Sequence, residues 1–281
     1  MRDFIKTSII AIVALLVGVQ TMNAETRRAL LVGISDYGNA MEDPNKWANI
    51  SGANDVLLLS PLFSEQGYTV TSLVDSMATH ANITKALEQL AKDSKKGDKV
   101  YIHFSMHGQP FEDLNGDEKD GWDEALIPVD AEMLYAKGVY EGKNHLLDDE
   151  LEVYFNDIRR KIGANGKLCI ALDVDHGSEF TSSGKKILST KAKESKRYFN
   201  LSSDDSLSSI TLIAACRPFQ GSREMRDMNT STWYGSLSYY IAQSMRDNQT
   251  VGSDKWIDAI KNGMANNHRL RKQNMVIEKI K

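Results

Sequence analysis

Lys167-Leu-Cys-Ile-Ala-Leu-Asp173-Val-Asp175-His-Gly-Ser178 is an apolar run of strand length that breaks into a polar cluster. The uncharged stretch Leu168 to Leu172 suits a strand buried on both faces of a parallel sheet. Arg28-Ala-Leu-Leu-Val-Gly-Ile-Ser35 has the same character, as does Lys99 to Met106, which ends in His107-Gly108. Ser209 to Cys216 is a further strand, and Tyr68 to Val74 alternates toward another.

Helical patterns separate these runs. One spans about Gly52 to Gln66, with Gly67 as its stop and Pro61 either kinking it or sitting in its last turn. Asn82 reads as the cap of a second, whose apolar face is Ile83, Leu87 and Leu90. Leu147 to Ile162, Ser231 to Met245 and Trp256 to Asn267 complete the helices. Residues 109–124 read as a polar, acidic loop, and Ala125 to Val129 with Met133 to Val139 as a short accessory hairpin. Strands alternating with helices predict an α/β fold on a mostly parallel sheet. In such sheets functional residues gather at the carboxyl ends of strands. His107-Gly108 and the cluster Asp173 to Ser178 both stand at such ends.

The chain has 281 residues and a formal charge of −4, with 41% hydrophobic and 26% charged residues. This is the composition of a folded globular protein without a global attraction to nucleic acid. Residues 1–24 have the three parts of a secretory signal: Arg2 and Lys6, the apolar run Ile9 to Val19, then a short polar stretch ending at Ala24. Cleavage after Ala24 predicts export, periplasmic or secreted, with no stable membrane association afterwards. The two cysteines, Cys169 and Cys216, lie inside apolar runs and read as free buried thiols. His103, between Ile102 and Phe104, reads as a satisfied strand histidine. Residues 181–206, rich in Ser and Lys, read as a linker.

Taken in order, Ala29 to Ile34, Ala53-Asn-Asp-Val56, Tyr101 to Gly108, Asp117 to Asp130, Asp148-Asp-Glu150, Leu172 to Ser178 and Ala215-Cys-Arg-Pro218 resemble the caspase-like cysteine peptidases. The likeness is greatest to the metacaspases and their bacterial relatives, and it runs from about Arg28 to Met245. It implies a caspase-like three-layer α/β/α sandwich with a six-stranded, mostly parallel sheet. Residues 25–281 would form one domain, with a large part at about 28–180 and a small part at about 207–281. In that family a cysteine thiolate attacks the peptide carbonyl, a histidine protonates the leaving amine and backbone N–H groups hold the oxyanion. His107 matches the histidine and Gly108 the oxyanion glycine.

The family motif Asp-x-Cys-His-Ser-Gly reads here Asp173-Val174-Asp175-His176-Gly177-Ser178, so Asp175 stands where the nucleophile would be. A carboxylate is a poor nucleophile toward an amide and places negative charge where the oxyanion must form. Cys216 matches a family cysteine that is not the nucleophile, Cys169 lies too early, and Ser178 has no matched geometry. Met106 and Gly177-Ser178 also depart from the family pattern, and such clustering favours natural drift. If Asp175 lies close to His107, it favours the imidazolium.

The resemblance further implies a pocket for Arg or Lys, with Asp55 and Asp173 at the positions of its acids; a carboxylate pair suits a guanidinium. From the residue alone, Asp55 reads equally well as an acid at a helix N-terminus. Asp113-x-Asn115-x-Asp117 with Glu124 echoes an EF-hand, but its sixth position is Glu118, not glycine. The family's own calcium site maps onto Asp123, Asp148 and Asp149, with Glu179 the nearest match to a further acid. A solvated acidic face, with Asp148 capping its helix, is the alternative. No cofactor is required, and calcium is the one ion the pattern suggests.

The expected function is a non-catalytic protein of this fold that binds basic peptide segments, with a monomer favoured. The competing reading is an Arg/Lys-specific cysteine endopeptidase silenced only by Asp175.

Overall fold

The computed structural model describes residues 25–281 apart from 39, 114, 117–120, 176–197, 200, 202 and 219, and of Asp175 the backbone alone. In chain order the elements are β1 (Arg27–Gly33), α1 (Gly52–Glu65), β2 (Tyr68–Val74), α2 (His80–Asp93), β3 (Lys99–Glu112), β4 (Trp122–Leu126), β5 (Leu146–Leu147), α3 (Asp148–Ile162), β6 (Lys167–Asp175), β7 (Ser209–Ala214), β8 (Glu224–Arg226), β9 (Trp233–Gly235), α4 (Ser236–Arg246), α5 (Asp254–Asn266) and β10 (Val276–Ile280).

The apolar runs form the central sheet in the order β10-β7-β6-β3-β1-β2. β2, β1, β3, β6 and β7 are mutually parallel, and β10 closes one edge antiparallel to β7. The expected six strands are this path; β4 and β5 extend the sheet beyond it to eight.

Because side chains alternate along a strand, each run supplies two cores. Leu30, Val32, Ile102, Phe104, Ile170 and Leu172 pack toward α2 and α3, on Ile83, Leu87, Leu151 and Phe155. Ala29, Leu31, Tyr101, Cys169 and Ala171 pack toward α1, α4 and α5, on Leu59, Phe63, Ile241 and Trp256. Each fully buried Leu, Ile or Phe contributes roughly 1.5–3 kcal/mol. The sandwich of helices, sheet and helices follows from this two-sided burial. Among the described residues no helix is long and apolar enough to cross a membrane.

Local rules explain where the elements differ from expectation. β3 does not stop at His107. Gly108 to Glu112 continue it and pair antiparallel with Leu126 to Trp122, so much of the expected acidic loop is a hairpin. Its polar sequence masks this because Gln109 and Glu124 are polar yet buried. The expected partner strand at 133–139 reduces to one bridge, Ala136 with Tyr140. Asn82 does not cap α2. Thr79 does, accepting the Asn82 N–H at 3.2 Å, and Asn82 sits in the first turn. Asp148 is likewise the first residue of α3, whose cap position is Leu147. The helix expected from Ser231 begins at Ser236, because 233–235 form β9. Pro61 lies inside α1, neither at its end nor in its last turn, on the exposed side of the helix. Both cysteines are buried and free, as expected.

Gly52 positions α1 against the sheet. A Cβ there would lie 2.1 Å from the Ser105 carbonyl oxygen. Only glycine lets the helix begin so close to the end of β3.

Candidate active site

β3 and β6 run side by side with Ser105 opposite Asp173, Met106 opposite Val174 and His107 opposite Asp175. His107 and the described start of the second polar cluster, Asp173 to Asp175, therefore meet at the carboxyl ends of these two strands. His107 is held from three sides. Its Nε2 lies 2.8 Å from the Ala48 carbonyl oxygen. A carbonyl only accepts, so Nε2 carries the proton, and a neutral ring has its acceptor at Nδ1. The ring centroid lies 5.1 Å from Tyr37 and 5.2 Å from Trp47. The His107 backbone N–H donates to Tyr37 Oη, which donates to the Ile127 carbonyl at 2.9 Å. Gly108 follows within β3, opposite Leu126. His176, Gly177, Ser178 and Glu179, together with 1–24 and most of the 181–206 stretch, lie outside the described residues.

Asp55 and Asp173 come together beside these strand ends. Asp55 stands in the first turn of α1 and Asp173 near the end of β6. Asp55 is fully buried; Oδ2 accepts the Ser105 hydroxyl at 2.6 Å and Oδ1 the Gly235 N–H at 2.9 Å. Asp173 Oδ2 accepts both the backbone N–H and the hydroxyl of Ser238 at 2.8 Å. Ser238 lies in the first turn of α4, where backbone N–H groups have no helical acceptor and favour an anion. Asp173 Oδ1 accepts the Ser222 hydroxyl at 3.3 Å. A Cβ on Gly235 would lie 2.2 Å from Asp173 Oδ2 and 2.7 Å from Asp55 Oδ2, so the two carboxylates meet under a bare backbone.

Burial first, and then the Asp173 charge, pushes Asp55 well above the usual carboxylate range. Burial likewise pushes Asp173 up to about 6, against the donors from Ser238 and Ser222 and with the Glu224 charge adding to the rise. The pair holds a proton more tightly than either would alone.

A cavity of about 210 Å³ opens onto Asp173 and is lined by Ser51, Ser105, Ser222, Glu224 and Gly235 among others. The two predicted acids thus divide their roles. Asp173 lines the cavity, while Asp55 stands behind it. Glu224, from β8, is the second acid on the wall, and it accepts the Ser51 N–H at 2.6 Å. Ser105, Ser222, Glu224, Gly235 and Ser238 were missed by the sequence reading. Four of them come from 222–238, where no periodic signal marks a site.

The acidic cluster forms on the hairpin side. Asp123 and Asp148 are both buried, from β4 and the start of α3. Burial, followed by the Asp123 charge, pushes Asp148 up to about 8. Its Oδ1 accepts the Asp149 N–H, and Asp149 Oδ2 accepts the Asn115 amide at 2.5 Å. Among the described residues no three His, Cys, Asp or Glu side chains converge to hold a metal. The Asp123–Asp148 pair supplies hard oxygen donors of the kind calcium takes.

Neither thiol is poised as a nucleophile. Cys169 lies in mid-strand, and burial pushes it up to about 12. Cys216 is buried past the end of β7, with its thiol 2.9 Å from the Gln220 carbonyl. His103 is satisfied by Tyr101 and Ser238, and His145 by Tyr140 and Gln109.

The family model for the metacaspase peptidase C14 domain matches residues 27–182, more than half of the chain. Metacaspase-1 of Plasmodium falciparum is 28% identical over 235 residues, 81% of this chain and 35% of the relative. Metacaspase-1B of Aspergillus fumigatus is 34% identical over 160 residues, 53% of this chain and 35% of the relative. Metacaspase-1 of Eremothecium gossypii is 26% identical over 264 residues, covering 85% and 54%. The chain thus spans between about a third and a half of the length of these relatives. In fold it is similar to protein GSU0716 from Geobacter sulfurreducens, with a TM-score of 0.62 at 20% identity over 91% of this chain and 93% of that one. The family model covers more than half of the chain, and the chain belongs to the metacaspase family of caspase-like cysteine peptidases.

Proposed function

We propose that this protein is a non-catalytic metacaspase-family domain that captures exposed Arg or Lys side chains of peptides and does not cut them. The observation that carries this reading is the buried Asp55–Asp173 pair beside a cavity walled by Asp173 and Glu224, with Asp173 two strand positions from the Asp175–His107 register pair. A cavity of about 210 Å³ is small, of a size for one side chain and not for a folded partner. Buried carboxylates without a resident cation are costly, and an incoming ammonium or guanidinium offsets that cost.

Catalysis requires a nucleophile that the motif does not supply. Asp175 would attack an amide weakly and would oppose the charge that builds on the carbonyl oxygen. Neither Cys169 nor Cys216 replaces it, since both thiols are buried.

The second reading is an Arg/Lys-specific endopeptidase silenced by this one residue. It is favoured by His107, whose ring remains oriented by Ala48 for work at Nδ1. Calcium is proposed as a weak ligand of the Asp123–Asp148 pair, and Asp149, turned toward Asn115, is its peripheral member. The protein is proposed to act after export as a monomer, without nucleic acid.

Isothermal titration of mature protein with an arginine-containing peptide, and with the same peptide carrying norleucine, tests the main reading. Heat from the first alone, with the peptide recovered intact, is the expected result. No heat from either, with and without calcium, removes it.

A further inference from the structure

His103 has no place in the reading above, yet it is completely buried in β3 with both ring nitrogens engaged. Nδ1 lies 3.1 Å from Tyr101 Oη, and Nε2 lies 3.0 Å from Ser238 Oγ. Ser238 Oγ in turn donates to Asp173 Oδ2 at 2.8 Å.

The directions follow from counting hydrogens. A serine hydroxyl has one hydrogen, and a carboxylate oxygen only accepts. With its hydrogen given to Asp173, Ser238 Oγ accepts from His103, so Nε2 carries the ring proton. Nδ1 is then the acceptor and takes the hydrogen of Tyr101. The three bonds run one way, from Tyr101 to His103 to Ser238 to Asp173. Burial keeps the chain in this state. It pushes His103 down to about 3, so the ring stays neutral, and it raises the Tyr101 phenol. A second ring proton would leave Tyr101 with no acceptor at Nδ1.

The chain has a consequence at the cavity. Asp173 Oδ2 is tied by two short bonds to Ser238, whereas Oδ1 has among the described residues only the longer bond from Ser222. We propose that His103 and Ser238 are specificity-determining positioning residues: they tie Oδ2 inward and leave Oδ1 as the single oxygen presented to a cationic side chain. This inference rests on the basic-residue reading of the pocket. A guanidinium gains its advantage over an ammonium by gripping both oxygens of one carboxylate. With one oxygen presented, lysine and arginine peptides bind with similar affinity.

The test uses the mature chain and two independent readouts. Nitrogen-15 NMR of the imidazoles reads the tautomer of His103 without any ligand, and the Nε2–H form is expected. Titration with paired Arg and Lys peptides reads the pocket. His103→Leu is expected to raise Arg affinity over Lys affinity about tenfold, because Oδ2 is no longer tied inward and a guanidinium can then grip both oxygens. His103→Gln, whose amide still donates to Ser238, is expected to stay within about threefold of wild type. Ser238→Ala is expected to shift this ratio as far as His103→Leu, and the double variant no further than Ser238→Ala alone, because both act through one chain. A purely structural role would lower the melting temperature of folded variants and leave these affinities in place. An Nδ1–H tautomer, or an unchanged ratio of Arg to Lys affinity in His103→Leu, overturns the proposal. If wild type binds neither peptide, the pocket reading falls and the specificity role with it, while the tautomer still reports whether the chain is wired as described.

Discussion

His107 and Asp175 are register partners at the carboxyl ends of the neighbouring parallel strands β3 and β6. Neighbouring strands lie about 4.8 Å apart, so the backbone alone brings the family histidine beside the residue at the nucleophile position. A carboxylate next to an imidazole favours its charged form. Asp175→Asn is therefore expected to lower the pH at which His107 titrates, read by proton NMR of its ring. An unchanged titration would mean that the two groups do not interact.

Binding of basic peptides is expected to strengthen as pH rises through about 6. Asp173 holds its proton to about that pH, and the protonated form offers no charge to a cation. Above it the affinity levels off. Asp173→Asn removes both the charge and the pH dependence, with a loss of tenfold or more in titrations at pH 7.5.

Asp148 supplies a stability test with a definite sign. Its carboxyl ionises near 3.8 when unfolded but near 8 when folded. Between those values the native state binds the extra proton, so stability falls as pH rises from about 4 to about 8. Asp148→Asn is expected to flatten this slope and to raise the melting temperature at pH 8 by about 3–6 °C, equivalent to roughly 1–2 kcal/mol. Calcium should raise the wild-type melting temperature at pH 8 and leave the variant unmoved. Melting curves at pH 5 and 8 check both.

Gly235→Ala places a methyl group into the two carboxylates, 2.2 Å from Asp173 Oδ2 and 2.7 Å from Asp55 Oδ2. Both side chains are short, buried and already hydrogen-bonded, so neither yields freely. A destabilisation of roughly 1–3 kcal/mol is expected, together with weakened binding of Arg peptides. Denaturant melts and titration measure the two effects separately.

Much of this architecture was legible because the runs at 28–35, 99–106, 167–172 and 209–216 are apolar on both faces, which leaves a parallel sheet covered by helices as the consistent outcome. The placement of His107 and Asp173 at strand ends followed from the same pattern. What stayed hidden was carried by contacts between distant segments. β10 has partly buried residues on both faces and gains its identity only by pairing with β7. The continuation of β3 past His107 was obscured by polar residues that are buried in the hairpin. Glu224 and Ser238 reach the pocket from a segment whose approach to α1 and β6 no local signal announces.

A peptidase assay on mature protein, as written and as Asp175→Cys, with Arg- and Lys-ended fluorogenic peptides and with or without calcium, addresses the central claim most directly. The account predicts no turnover by the aspartate form under any condition and none by the folded cysteine form, whose motif still departs from the family pattern at Met106 and Gly177-Ser178. Turnover by the cysteine form alone, with His107 held by Ala48 and Asp173 at the cavity wall, would favour the endopeptidase silenced only by Asp175. Hydrolysis of these peptides by the aspartate form would contradict it, because a nucleophile other than residue 175 would then be at work.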